Sequence, residues 1–174
     1  MKHLFSVLLL ALITATTVKA QDDMKTSSAA AATGFHFAAG LNLGLPIGDF
    51  SDSHSFGVGV EVQPEYMLSK MFSVQASAGY TEFFGKKISG FKIDDVGLIP
   101  ILAGVKVYPA EQFFIGVKAG VGILTGSGNS ESAFDYQPQV GYNAEKFQIN
   151  LGYNGLSKDG ETLSNLSLSL LYKF

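Results

Sequence analysis

The chain has 174 residues, 12 Lys, no Arg, 15 Asp plus Glu and no Cys. A mildly acidic, arginine-free chain lacks the dense cationic surface that nucleic acid requires. The missing cysteine excludes a disulfide framework, thiol catalysis and thiolate metal sites. With 20 Gly, 14 Phe, 7 Tyr and only 16% charged residues, the composition is unusual for a soluble domain of this size, and the length allows one domain.

Residues 1–20 read as a signal peptide. Lys2 and His3 supply a positive start, Leu4 to Ile13 is a short apolar run, and Val18-Lys19-Ala20 ends on a small residue. The run is too short to cross a bilayer as a helix, which needs about 20 residues. Cleavage after Ala20 leaves 154 residues (174 − 20) starting at Gln21, with 10 Lys against 15 acids and a net charge of −5. Residues 21–33 form a polar, then small, periplasmic lead-in, and the domain proper spans 34–174.

From Gly34 onward apolar residues recur every second position, the period of a strand with one greasy face. Strand one spans roughly 35–45, with Phe35, Phe37, Ala39, Leu41, Leu43 and Leu45 on one face and His36, Ala38, Gly40, Asn42 and Gly44 on the other. Strand two (56–66) turns Phe56, Val58, Val60, Val62 and Tyr66 outward and Glu61, Gln63 and Glu65 inward. Strand three (72–83) carries Phe72, Val74, Ala76, Ala78 and Tyr80 outward. Strand four (96–108) carries Ile101, Ala103, Val105 and Val107 outward and Lys106 inward. Strand five (113–124) places Lys118 inward. Strands six (134–143), seven (147–156) and eight (163–174) complete the set. Each segment has about 10 residues, the length of a tilted membrane strand, and eight is an even number, as in bacterial barrels. After the leader no apolar stretch is long enough for a membrane helix, and a lipid-embedded chain without helices must close into a barrel to satisfy its backbone.

The connections alternate. Those at 68–71, 109–112 and 144–146 are tight, whereas 46–55, 85–95, 125–133 and 157–162 are longer and polar. Short periplasmic turns and long external loops follow, with both termini periplasmic. Outward Phe35, Tyr66, Phe72, Phe113, Tyr142, Phe147, Tyr172 and Phe174 then gather at one edge, and Phe56, Tyr80, Tyr136 and Tyr153 near the other, as two aromatic girdles. Pro64, Pro100 and Pro138 fall inside strands, where proline marks an edge or a bulge; a closed barrel has no edge, so bulges are expected.

The leader ending in Val-Lys-Ala, the Ile99-Pro100-Ile101-Leu102 strand leading to Lys106 and Tyr108, and the terminal Leu-Tyr-Lys-Phe together resemble the small eight-stranded OmpA/OmpX-like outer-membrane proteins. The nearer resemblance is to the "porin family" outer-membrane β-barrel group common in Bacteroidetes. It implies an all-β, eight-stranded, antiparallel, up-and-down transmembrane barrel in the cell outer membrane, among outer-membrane lipid and lipopolysaccharide. It also implies that Tyr172 and Phe174 act as the signal read by the barrel-assembly machinery; because the sequence stops at the barrel, no peptidoglycan-binding domain of the OmpA type is expected to follow. A soluble lipocalin-like barrel is the rival fold, with its apolar face turned inward.

Eight strands enclose a lumen that side chains fill or that holds one small ligand. Its polar set includes Asn42, Gln75, Thr81, Gln139, Asn143, Gln148, Asn150 and Asn154. Among the charged members, a Glu61–Lys118 contact is expected at mid-barrel, with Glu65 and Lys106 clustered lower, near Lys173 and His36. Buried charges must be paired. Two readings follow: a network that plugs the lumen of a non-enzymatic structural or surface-interaction protein, or an ion path or gate in a small channel or carrier. A third reading, a rim enzyme acting on lipid A, rests on His54 among Asp49, Ser51, Asp52, Ser53 and Ser55 in a solvated first loop. No base, orienter and oxyanion donor can be assembled from the strands, so no catalytic, cofactor-binding or metal residues are assigned.

Overall fold

The computed structural model describes residues 34–88, 90–126 and 128–174. The expected leader (1–20) and lead-in (21–33) lie outside the described residues. The elements run β1 (Phe35–Ile47), α1 (Asp49–Ser53), β2 (His54–Met67), β3 (Phe72–Gly85), β4 (Lys87–Ile88), β5 (Phe91–Lys92), β6 (Val96–Ala110), β7 (Phe113–Gly126), β8 (Asn129–Asn143), β9 (Phe147–Lys158) and β10 (Glu161–Lys173). All strands but β4 and β5 form one closed antiparallel barrel, in which each pairs with its neighbour along the chain and β10 pairs back onto β1. The small β4–β5 hairpin stands apart in the β3–β6 connection.

Alternation sets the faces. Leu41, Leu43, Val60, Val74, Ile101, Val105, Val117, Leu151 and Leu168 are exposed on the outside, while Gln63, Gln75, Lys106, Lys118, Asn150 and Ser169 are buried inside. This polarity is the reverse of a lipocalin. Ring-to-ring contacts tie the aromatic edge at the terminus end: Phe113 meets Tyr142 at 5.2 Å and Phe147 meets Tyr172 at 5.6 Å between centroids, both edge-on.

The strands are staggered, as barrel closure demands. Following Cα partners from Tyr172 through Ala39, Val62, Ala78, Ile101, Val121, Phe134 and Ser157 returns to β10 at Thr162, ten residues back. Tight curvature also needs inward glycines. A Cβ on Gly40 would lie 2.0 Å from the Leu170 carbonyl oxygen, and one on Gly120 would lie 2.2 Å from that of Ile101. Only glycine lets those neighbouring backbones lean in.

Three expectations change. The prolines produce no bulges: the partner registers of β2–β3, β3–β6 and β8–β9 are the same on either side of Pro64, Pro100 and Pro138. Each proline instead leaves a two-residue gap in the ladder on one side, because it lacks the donor, while its other neighbour pairs normally. The register shifts lie elsewhere, between His54 and Gly57 and between Val107 and Ala110.

Second, the barrel strands are 12 to 15 residues long, so they continue past the apolar band. The 125–133 and 157–162 segments are hairpin ends rather than long loops, with Gly126 paired to Asn129 and Lys158 to Glu161. Both faces of such ends are polar, so no hydrophobic period marks them. The Asp159-Gly160 turn does carry a local signal. Both residues have positive φ, 52° and 90°, the conformation that Asp-Gly favours in a two-residue hairpin.

Third, the first connection is not a solvated loop. Its helix α1 tucks Phe50 into the barrel mouth, and His54 is buried at the start of β2.

Candidate functional site: a filled lumen

The lumen is layered. At the terminus end Met67, Tyr108 and Phe114 form an apolar plug. Directly above it Lys106 Nζ lies 2.7 Å from Glu65 Oε2, 3.1 Å from Gln148 Oε1 and 4.5 Å from the centre of the Phe114 ring. Glu65 Oε1 accepts from Ser73 Oγ (2.5 Å) and Tyr108 Oη (2.6 Å). Gln148 donates to Asn150 at 2.8 Å, which extends the network along β9. Three strands, β2, β6 and β9, therefore converge on one ammonium group. Removal from water costs such a charge several kcal/mol, and these bonds offset that cost.

One tier up, Lys118 Nζ lies 2.7 Å from Glu61 Oε1, and Ser169 Oγ donates to Glu61 Oε2 at 2.6 Å. Asn42 donates to Ser169 Oγ at 2.9 Å and Thr81 to Asn42 at 3.2 Å, so the tier runs from β7 through β2, β10 and β1 to β3. Above it Asn154 donates to Asp135 Oδ1 at 2.9 Å and Gln137 to Ser167 at 2.6 Å. At the loop end Phe50, Phe83, Leu98, Ala133 and Leu156 form a second apolar plug. Phe50 meets Phe83 edge-on at 5.0 Å. The cavity within the upper lumen holds about 30 Å³, room for a couple of waters.

Of the residues singled out in the sequence, Glu61, Lys118, Glu65 and Lys106 stand in these two tiers. Lys173 bonds Asn143 Oδ1 (2.8 Å) and the Ala144 carbonyl (2.9 Å) near the turn end and meets no carboxylate there. His36 is the Cα partner of Glu65 across β1–β2, is half-buried and makes no side-chain hydrogen bond among the described residues. Tyr172 and Phe174 lie edge-on at 5.3 Å, and the Phe174 amide donates to the Phe37 carbonyl at 2.9 Å, extending the seam past β10. Ser53 Oγ and His54 Nδ1 are 2.8 Å apart at the mouth. Among the described residues no group of three or more His, Cys, Asp or Glu is placed to hold a metal ion.

Sequence reasoning missed the apolar plugs and Asp135. Phe83, Leu98, Phe114 and Leu156 share the inward parity of the polar set, so parity on every strand would have found them. Phe50 follows from no period, because it reaches the lumen from α1.

An apolar belt outside, a closed ladder and a polar interior define an integral membrane β-barrel. The family model "Outer membrane protein beta-barrel domain" matches residues 7–174, and the chain belongs to that family. It is an outer-membrane β-barrel protein. No curated protein matches its sequence. Among solved structures, Ail, the attachment invasion locus protein of Yersinia pestis, aligns with TM-score 0.58 at 18% identity, covering 82% of this chain and 100% of Ail. The N-terminal β-barrel domain of Pseudomonas aeruginosa OprF aligns with TM-score 0.59 at 12% identity, covering 82% and 98%. A de novo designed transmembrane β-barrel aligns with TM-score 0.51 at 14% identity, covering 83% and 98%. At these identities the likeness is one of fold.

Proposed function

We propose that this protein is a closed, non-enzymatic outer-membrane barrel with a structural or surface-interaction role, both termini periplasmic and its loop end outside the cell. The observation that carries the reading is the interior: two buried ion pairs, Glu65–Lys106 and Glu61–Lys118, whose carboxylates also accept hydroxyl hydrogen bonds, lie between two apolar plugs. Apolar layers above and below break any continuous file of water, and dewetted constrictions block ions. Liposomes containing the refolded protein should not swell in small sugars; swelling would favour the small-channel reading. For orientation, the chain has no cysteine, so single cysteines report cleanly. Asp159→Cys should react with an impermeant maleimide on intact cells and Glu111→Cys only after permeabilisation; the reverse pattern would invert the assignment.

Lipopolysaccharide and outer-membrane lipid are the surroundings of the belt. Tyr172 and Phe174, at the end of the closing strand, serve as the signal for the assembly machinery. The Ser53–His54 pair does not argue for catalysis: the residues are adjacent in the chain, and the Ser53 hydroxyl also reaches the Phe50 carbonyl at 3.3 Å, closing the turn of α1. Cells overexpressing the protein should keep unaltered lipid A, and deacylated or reacylated lipid A would overturn the non-enzymatic reading.

A further inference from the structure

Helix α1 covers only one side of the barrel mouth. It packs on β1, β2 and β10 and leaves an open bowl against β6, β7 and β8. The bowl has a volume of about 360 Å³, within the range of small-molecule sites. Its apolar walls are Phe50, Val96, Leu124 and Leu163. Leu124 and Leu163 rest on the loop-end plug below. The strands could have filled this space, because position 126 points into the bowl and is only glycine. A Cβ there would meet Val96 Cγ2 at an ordinary 3.5 Å, with no left-handed backbone to forbid it.

The lining carries one carboxylate, Glu131, and one imidazole, His54. Glu131 is the single Asp, Glu, Lys or Arg in its lining. One carboxylate oxygen, Oε2, sits 3.3 Å from Lys158 Nζ, which stands outside the lining. Oε1 makes no hydrogen bond or ion pair among the described residues. Thr125 Oγ1 is turned away, 3.3 Å from the Gly97 carbonyl.

We infer that the mouth bowl is a binding site for a small apolar amine, whose hydrocarbon or ring part lies between Phe50, Val96, Leu124 and Leu163 and whose ammonium group is taken by Glu131. An apolar hollow with a few placed polar groups is the usual form of a ligand site. Lys158 pairs with Glu131 through Oε2 from outside the lining, so the free Oε1 is an acceptor that selects a hydrogen-bond donor head over an anionic one. The site lies above the Phe50 plug and does not depend on whether the lumen beneath conducts.

The chain has no tryptophan, so the indole fluorescence of added tryptamine is read without background from the protein. Refolded protein in lipid vesicles is titrated with tryptamine, and uptake by protein-free vesicles is subtracted. Saturable one-to-one binding is expected for the wild type. Gly126→Leu fills the bowl and should abolish binding. Glu131→Gln should weaken it by up to about fivefold, the scale of a solvent-exposed ion pair. Indole-3-acetate, the anionic counterpart, should bind the wild type at least about tenfold more weakly than tryptamine. Circular dichroism and the heat-shifted gel mobility of each variant report whether it folded, and Val96→Phe is a second bowl-filling variant should Gly126→Leu not fold. Equal tryptamine uptake by wild type and bowl-filled protein would overturn the site. Unchanged affinity in Glu131→Gln, or equal binding of indole-3-acetate, would overturn the amine assignment.

Discussion

Lys118 is almost wholly enclosed, and its close anionic partner at 2.7 Å is Glu61. Replacing it with methionine leaves the Glu61 carboxylate with the Ser169 hydroxyl alone. Removing one partner of a buried pair costs about 3–5 kcal/mol, because the other charge is left uncompensated. Lys118→Met should therefore lower the urea-unfolding free energy by that amount, and adding Glu61→Gln should recover a large part of it. Equal losses in the single and double variants would contradict the pairing. Outside the membrane, Asp95 accepts from the Gly85 amide at 2.9 Å and from Lys92 at 3.2 Å, which holds its carboxyl below the ordinary aspartate range. A lowered folded value means the brace is fully present above the unfolded pKa and is lost as pH falls through the folded one. The Gly85 amide resonance should titrate with a midpoint below that of a free aspartate, and Asp95→Asn should abolish the transition. At this scale the sequence disclosed that Glu61, Glu65, Lys106 and Lys118 face inward, because parity and depth along each strand are simple counts; Asp135 has the same parity on β8 and was passed over. It did not disclose Ser73, Tyr108 or Ser169 as the groups completing each carboxylate, since those choices depend on stagger between strands far apart in the chain.

Among the elements, the closing seam between β1 and β10 is the most exacting. Gly40 faces the Leu170 carbonyl so closely that a methyl group would require the backbone to move. Gly40→Ala should cost about 2 kcal/mol or more, as strained or overpacked sites do, whereas a methyl group at Gly44 would press on the side chain of Phe83 rather than on backbone, so Gly44→Ala should cost less. Comparable urea-unfolding midpoints for the two variants would count against the seam geometry. Eight strands and their parity were legible because one face of each meets an apolar medium and the other a polar lumen. Legibility ended where that contrast ended. Strand tips at 126–133 and 157–162 are polar on both faces, and α1 shows no period at all in five residues. The prolines misled for a related reason: a lost donor spoils one ladder position, but seams on both flanks are long enough to keep the register.

For the whole molecule, the lumen matters more than the belt. The belt places the protein in the outer membrane; the lumen decides whether anything passes. Two paired tiers and two apolar plugs leave a cavity of about 30 Å³ in the upper lumen, and we propose on that ground that the lumen is closed to ions. The sequence pointed to a polar filling and favoured a side-chain plug over a gate, but it did not show the apolar plugs, because these draw on Phe50 and on the ends of several strands at once. Planar-bilayer recording of the refolded protein tests the closed-lumen account most directly. The account predicts no discrete unitary currents from the wild type. Discrete unitary currents whose size changes when Lys118 is replaced would contradict it.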